Sequence, residues 1–488
     1  MDRHEFDVVV VGCGIAGLAT AVSALEAGAR VAILERAPKE ERGGQTRYTE
    51  AYFRMKSHHE VTDDFSDYLA ENSAGYVDPT LIAEMSADRQ SWPSLVRGLG
   101  YNDADLIDQF ATQAPPTVAW LTAHGIRFEF LPTQFITKSQ PRLLPVGGGF
   151  AMVEALAAHA ETHGGRFFYD TAARELAVDE EGRVTGVKAV GQGNRQVHFH
   201  ARGGVVLACG GFEGSTEMLS RYLGPRSSYL RPVCRGGYYN KGEGIQMALA
   251  IGAAPCGDFG SYHAEPIDPR SGITEPSVFI FPYGILVNKD GERFTDEGPG
   301  TVDQYYERVT RRIYEQREGI AYAILDARLA DVPNWRVALR TDQPPIAASS
   351  IEELAKRLDV PAERLAATVA QYNAACVEGK FDPLALDGLA TRGLSIAKSN
   401  WARPIDQPPF HAYPIISANV FTFGGLKADR EARVLNKDGD PIDGLYVAGE
   451  TLGTYYKNYT GATSVLKGAV FGKLAGAHAA RRAEGAVA

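Results

Sequence analysis

Four consecutive valines run straight into Gly12, Gly14 and Gly17 in the stretch FDVVVVGCGIAGLATAVSALEAGARVAILER. The β-branched run reads as a buried strand, the alanine-rich segment as a helix, and the residues up to Glu35 as a second strand. A βαβ unit of this kind belongs to a parallel sheet, so the chain is α/β. The glycines add a chemical reading. Without side chains between strand and helix, the backbone can approach a pyrophosphate at the positive helix N-terminus. Glu35 ends the second strand at about the 20-residue offset of a carboxylate that accepts hydrogen bonds from ribose hydroxyls. Cys13, inside the turn, reads as a small packing residue. The motif predicts an adenosine dinucleotide without choosing between NAD and FAD.

Later glycine clusters bear on that choice. RGGQT, residues 42–46, offers backbone N–H groups at Gly43 and Gly44 and the Thr46 hydroxyl to a second stretch of pyrophosphate or flavin. GLYVAGE, residues 444–450, and a helix beginning near Gly461 bring another helix N-terminus, which favours charge on a reduced flavin ring. GGVVLACGGFEG, residues 203–214, is a further buried strand and glycine turn.

A chain of 488 residues exceeds one simple core, so two or three lobes are expected. From about residue 253 to 401 the texture changes to loops rich in proline and aromatics, then helical patterns such as IEELAKRLDVPAERLAATVAQYNAACVEG. The expected division is residues 1–252 as the first part of a discontinuous FAD-binding domain, 253–401 as an inserted capping domain, and 402–488 as the return to the first domain. A formal charge of −10 disfavours nucleic acid or anionic membrane as a partner. The five cysteines form no CxxC pair, so neither a metal site nor a disulfide framework is expected, and a reducing, cytoplasmic setting fits. No leader pattern or apolar run of about 20 residues points to export or a membrane span.

The order GxGxxG, Glu35, RGGQT, ACGGF, ILVNKDGERFTDEG, GLYVAGE and NYTGATSVLKGAVFGKLAG resembles the fumarate reductase and succinate dehydrogenase flavoprotein superfamily. The likeness is greatest to FAD-dependent tricarballylate dehydrogenases, with 3-ketosteroid dehydrogenases as cousins. This resemblance implies a Rossmann-like FAD domain, an α+β cap, and an active site between them. The reaction implied is hydride exchange between flavin N5 and a carbon next to a carbonyl or carboxylate. Cofactor contacts are implied at Gly12, Gly14, Ala16, Gly17, Glu35 and Arg36 in the first unit, and at Gly43, Gly44, Gln45 and Thr46 in the second. Gly210, Gly449, Glu450, Ser464 and Val465 complete the set. Membrane-associated members carry a flavin-bonding histidine where this chain has Gln45, so FAD is expected to be non-covalent.

Other departures matter equally. Where fumarate reductases place a substrate-holding arginine, this chain has Tyr459, as steroid dehydrogenases do. VFTFGG, residues 420–425, lacks the family histidine, and TDEGPGTVDQ lacks the proton-donating arginine. Desaturation is therefore expected, of a tricarballylate-like substrate first and a cyclic ketone or steroid second, with electrons passing to a separate acceptor. An enoate reductase, a flavin electron-transfer subunit and a nicotinamide dehydrogenase remain as alternatives.

Desaturation next to a carbonyl needs a donor for enolate-like charge and a base for the proton. Tyr459 and backbone N–H groups of its glycine-flanked turn, including Gly461, are candidates for the donor, although a tyrosine that only holds the turn is the competing reading. The base is left open among Tyr305, Tyr306 and Asp303, with Tyr305 placed first. His263 lies where relatives keep a substrate-contacting histidine. Carboxylated substrates call for cations, for which Arg47, Lys138, Arg142 and Lys457 are candidates, and Tyr283 closes the loops that set pocket size. Arg293, Asp296 and Glu297 are expected to tie the cap to the flavin domain.

Overall fold

The computed structural model describes residues 2–72, 78–100, 104–130 and 142–485. Lys138 lies outside the described residues. Strand Asp2–Val11 pairs in parallel with Val31–Leu34 on one side and Arg195–Leu207 on the other, and Arg166–Phe168 and Pro441–Val447 extend the sheet in both directions. The chain thus returns after residue 433 to finish its first sheet, with Arg433–Leu435 as an antiparallel edge. Strands Ala172–Val178 and Val184–Gly191 form an antiparallel flap on the first half of Arg195–Leu207. Val8, Val9 and Val10 are fully buried, as a strand covered on both faces requires.

Helices Ile15–Glu26 and Ser464–Gly485 pack with their backbones in direct contact. Three glycines spaced by four, Gly468, Gly472 and Gly476, allow this. A Cβ at Gly472 would strike the carbonyl oxygen of Ala16, and one at Gly476 that of Thr20. Ser23 Oγ donates to the Lys473 carbonyl at 2.9 Å across the same seam. The N-terminal turns of both helices consequently meet beside one cavity.

The second sheet is organised around the long strand Phe410–Thr422. It pairs antiparallel with Tyr262–Ile267, Ile320–Leu325 and Ile346–Ala348, and in parallel with Arg231–Pro232, while Ile285–Asn288 adds to Ile320–Leu325. This sheet therefore takes strands from before residue 253 and after residue 401. One face carries a core with Ile280, Ile313 and Trp401, the other a core with Leu354, Leu365 and Tyr372. The continuous helical pattern of residues 351–379 is two helices, Ile351–Leu358 and Ala362–Ala375. Asp359 adopts φ 54°, and Pro361, which lacks an N–H, caps the second helix.

The expectation for Arg293 and Glu297 needs correction. Their ion pair, 2.7 Å and buried, is internal to the cap: Arg293 donates to the Ile396 carbonyl, and Glu297 accepts from the Leu286 N–H. Asp296 likewise accepts from Ser399. These groups brace the sheet edge rather than joining two domains.

Candidate active site

An elongated cavity runs from Glu35 to Phe421 along the C-terminal edge of the first sheet. Its wall includes Gly12, Gly14, Ala16, Glu35, Arg36, Gly43, Gly44, Gln45 and Thr46 from the first two motifs, and Gly210, Gly449, Glu450, Ser464 and Val465 from later ones. Gly17 is absent from the wall for a physical reason. It lies beneath the turn, where a Cβ would collide with the Gly12 carbonyl oxygen. Gly12 itself, at φ 107°, passes so close to Ala208 that no side chain fits.

The polar groups fit an adenosine dinucleotide carrying a flavin. Glu35 is 7% exposed and accepts from the backbone N–H groups of Cys13 (3.0 Å) and Ala37 (2.8 Å). Burial pushes its carboxyl above the usual range, against those two hydrogen bonds. A carboxylate so fixed keeps lone pairs for ribose hydroxyls. Thr46 Oγ1 accepts from the Ile15 N–H at 3.2 Å, which ties the second motif to the first helix N-terminus. Arg36 is held by Glu243 at 2.8 Å and donates to the Tyr239 carbonyl at 3.0 Å.

Gln45 Nε2 donates to Glu213, which also accepts from Asn240 at 2.7 Å. Glu213 Oε2 is buried without a hydrogen-bond donor, and burial followed by the neighbouring Glu450 drives that carboxyl well above its ordinary range. Glu450 accepts from the Thr422 N–H at 2.7 Å. That bond fastens the end of strand Phe410–Thr422 to the cavity wall.

Beyond Phe421 and Tyr455 the cavity borders a cluster of aromatic rings. The His263 ring lies 4.4 Å from that of Tyr459 and 5.2 Å from Phe421, and its Nε2 is 2.6 Å from the Tyr306 hydroxyl. His263 is buried, its Nδ1 has no partner, and burial, helped by the Arg311 charge, lowers its pKa to about 3. It is therefore a neutral imidazole. Tyr306 is pushed well above the ordinary phenol range, mainly by burial and then by Glu265. Glu265 sits two residues past His263 on the same strand, and burial together with the Glu50 charge raises it to about 8. Buried Arg142 stands 3.7 Å from Asp303; burial, helped by the Arg54 charge, lowers its pKa, and Asp303 opposes that shift. Gly461 lies against it, a Cβ there falling 3.6 Å from Nη2.

Tyr459 is held from both sides. Its hydroxyl accepts from the N–H groups of Thr463 (3.1 Å) and Ser464 (3.2 Å) and lies 3.0 Å from Ser464 Oγ. Its own N–H donates to Glu307 of the cap helix Val302–Tyr314 at 3.2 Å. The N–H groups expected to share a substrate oxygen with the phenol thus bind the phenol itself, because the helix begins at Ser464 rather than near Gly461.

Other expected residues lie elsewhere. Tyr305 is one position round the cap helix from Tyr306 and packs beneath Gly300, away from His263. Arg47 pairs with Glu154 at 2.9 Å and stacks on the half-exposed ring of Phe150, so its charge is spent outside the cleft. Tyr283 belongs to the cap core, donating to the Pro383 carbonyl at 2.8 Å beside Trp401. Lys457 is exposed. Glu265 and the buried Lys467 were not among the sequence candidates. Strand alternation after His263 could have flagged the first, and a lysine within the apolar helix pattern SVLKGAVFG the second.

A model of the family described as "FAD binding domain" matches residues 7–466. Over 97% of its length the chain is 28% identical to NADH:acrylate oxidoreductase of Vibrio harveyi, covering 50% of that protein. It is 28% identical to 4-oxocyclohexanecarboxylate 2-dehydrogenase of Sinomonas cyclohexanicum, across 95% of this chain and 91% of the other. The chain spans about half the length of the acrylate relative and of NADH:fumarate oxidoreductase of Klebsiella pneumoniae. Among solved structures, 3-ketosteroid-delta4-(5alpha)-dehydrogenase from Rhodococcus jostii RHA1 superposes with a TM-score of 0.69 at 25% identity, covering 98% of this chain and 97% of that one. No helix among the described residues is long and apolar enough to cross a membrane. With the match running through both sheets and the cavity built from its glycine motifs, the chain belongs to the FAD-binding domain family.

Proposed function

We propose that the protein is an FAD-dependent oxidoreductase that desaturates a carbon–carbon bond next to a single carbonyl or carboxylate, passing electrons to a separate acceptor. The observation that carries this reading is the Tyr306–His263 contact of 2.6 Å, in which His263 is buried, with Tyr459 and Arg142 beside it. Bound FAD would supply hydride chemistry at its ring, held by Glu35, Thr46, Glu450 and the helix turn at Ser464. Residues 253–401 together with strand Phe410–Thr422 would form the cap. Gln45, an amide already engaged with Glu213, is no nucleophile, which supports non-covalent attachment. Acid precipitation that leaves yellow colour in the pellet would refute that part.

In this reading Tyr459 donates its O–H to the substrate oxygen. Accepting two backbone N–H bonds polarises the phenol and strengthens that donation. Arg142 adds a cation at the same oxygen. Tyr306 moves the proton at the neighbouring carbon, with His263 fixing its hydroxyl and Glu265, the carboxyl that acts most strongly on it, serving onward transfer.

A tricarballylate-like substrate fits less well than a cyclic ketone or ring monocarboxylate. Three carboxylates need several free cations, and among the described residues Arg340 is paired with Glu50 and Glu275, and Arg311 with Glu307. A second reading, reduction of an activated alkene, is favoured by one observation. Tyr306 and Glu265 hold their protons at neutral pH, which suits donation to carbon. One anaerobic experiment separates the two. Bleaching of the flavin band near about 450 nm by saturated cyclic ketones or monocarboxylates supports desaturation. Reoxidation of the dithionite-reduced protein by enoates, with no bleaching by saturated compounds, would overturn it in favour of the reductase.

A further inference from the structure

One buried charge takes no part in the proposed reaction. Lys467 is 3% exposed, at the end of the first turn of helix Ser464–Gly485, in the wall of the flavin cavity. Its Nζ donates to the Leu452 carbonyl and to Thr454 Oγ1, both at 2.8 Å, and lies 4.8 Å from the centre of the Tyr455 ring. The opposite side is an apolar pocket formed by Leu106, Phe110 and Phe471. Burying an ammonium costs several kcal/mol, more than two neutral acceptors need to be satisfied. A glutamine would serve those acceptors without a charge.

We propose that Lys467 is the residue that tunes the flavin's reduction potential, a cation in the cavity wall that favours the more negatively charged reduced cofactor. The inference rests on flavin occupying the cavity, which the family match supports, and not on the substrate reading. Hydride transfer adds negative charge to a flavin, and a cation held in a low-dielectric wall interacts with that charge far more strongly than one in water. Burial lowers the Lys467 pKa to about 7, with the nearby Glu450 opposing the shift. The amine can therefore change its charge within the working pH range. The titratable groups that face it are Glu450, with Glu213 behind it, and Cys256, together with the Tyr455 ring.

The test is the midpoint potential of the flavin-loaded protein, measured against a reference dye from about pH 6 to about pH 9, for the wild type, K467M and K467R. Differences between proteins cancel the flavin's own pH slope. At about pH 6 the K467M potential should lie below the wild type by about 30 mV or more, a tenfold shift for a two-electron couple. The gap should close by about pH 9 as the wild-type amine loses its charge. K467R, charged throughout, should match the wild type at low pH and exceed it at high pH. A K467M potential equal to wild type at low pH would reduce Lys467 to a packing residue. Should K467M fail to retain flavin, K467Q, which serves the same two acceptors without a charge, decides: a K467Q potential equal to wild type at about pH 6 overturns the proposal.

Discussion

Gly12, Gly14 and Thr46 meet the flavin cavity through backbone atoms and one hydroxyl, whereas the neighbouring cleft is lined by the rings and charged ends of His263, Tyr306, Arg142 and Tyr459. The cavity is assembled from short segments whose spacing is dictated by a strand, a turn and a helix. The cleft draws one or two residues from each of four distant segments, two on cap elements and two on loops of the first domain. Backbone recognition demands glycine at fixed positions, so a motif results. Side-chain recognition demands only that rings and charges converge in space, and many sequences satisfy that.

If backbone contact sets the cavity, a substitution that never touches the cofactor should still weaken its binding. Gly17→Ala drives a Cβ into the Gly12 carbonyl oxygen beneath the turn. Overpacking of this kind costs about 1–3 kcal/mol, and because the displaced atoms form the pyrophosphate turn, flavin affinity should fall at least about tenfold. Flavin content after gel filtration and titration of the apoprotein with FAD would measure it. Wild-type affinity in G17A would break the contrast, since the cavity would then tolerate a shift of its own frame.

The same contrast explains what could be read from the sequence. The βαβ unit, Glu35 and the glycine runs at Gly43 and Gly449 follow local rules, and the sequence alone brings them to one dinucleotide. Helix phase in the cap was the first thing to escape it. Tyr305 and Tyr306 are adjacent and chemically identical, and only the packing of Val302–Tyr314 against strand Tyr262–Ile267 turns Tyr306 toward His263. Arg47 and Arg142 were equally plausible as cations. Glu154, more than a hundred residues from Arg47, neutralises the first, while the second is carried into the cleft. Neither outcome follows from propensity or spacing, because each depends on tertiary partners that the sequence does not order.

Those adjacent tyrosines sharpen the comparison on the cleft side. Tyr306→Phe should keep flavin and lower turnover by about 100-fold to 10,000-fold, the usual range for losing a group that moves a proton in the transition state. Tyr305→Phe should stay within about twofold of wild type, since it keeps the ring that packs against Gly300 and removes only a hydroxyl. Steady-state rates on the substrate found by flavin bleaching, with KM followed separately, give the readout. Equal losses in both variants would mean that the cleft seen between His263 and Tyr459 is not where the proton moves.

The smallest expected effect concerns charge rather than catalysis, and it has a definite sign. The folded-state pKa of Glu265 is raised to about 8 by burial and by the Glu50 charge. In the unfolded chain a glutamate titrates near about 4.3. Between these values the folded protein holds a proton that the unfolded chain has released, so stability falls as pH rises through the window, and the loss is complete above the folded pKa. Glu265→Gln keeps the shape of the protonated carboxyl and removes its titration. Melting temperatures of E265Q and wild type should agree near about pH 4 and separate in favour of E265Q toward about pH 8. Glu50, raised to about 7 by burial, still titrates in both proteins, so the difference between them reports mainly on Glu265. A gap that is flat or of opposite sign would mean that Glu265 is ionised and hydrated at neutral pH. The cleft would then be as open to water as a surface groove, unlike the cavity beside it.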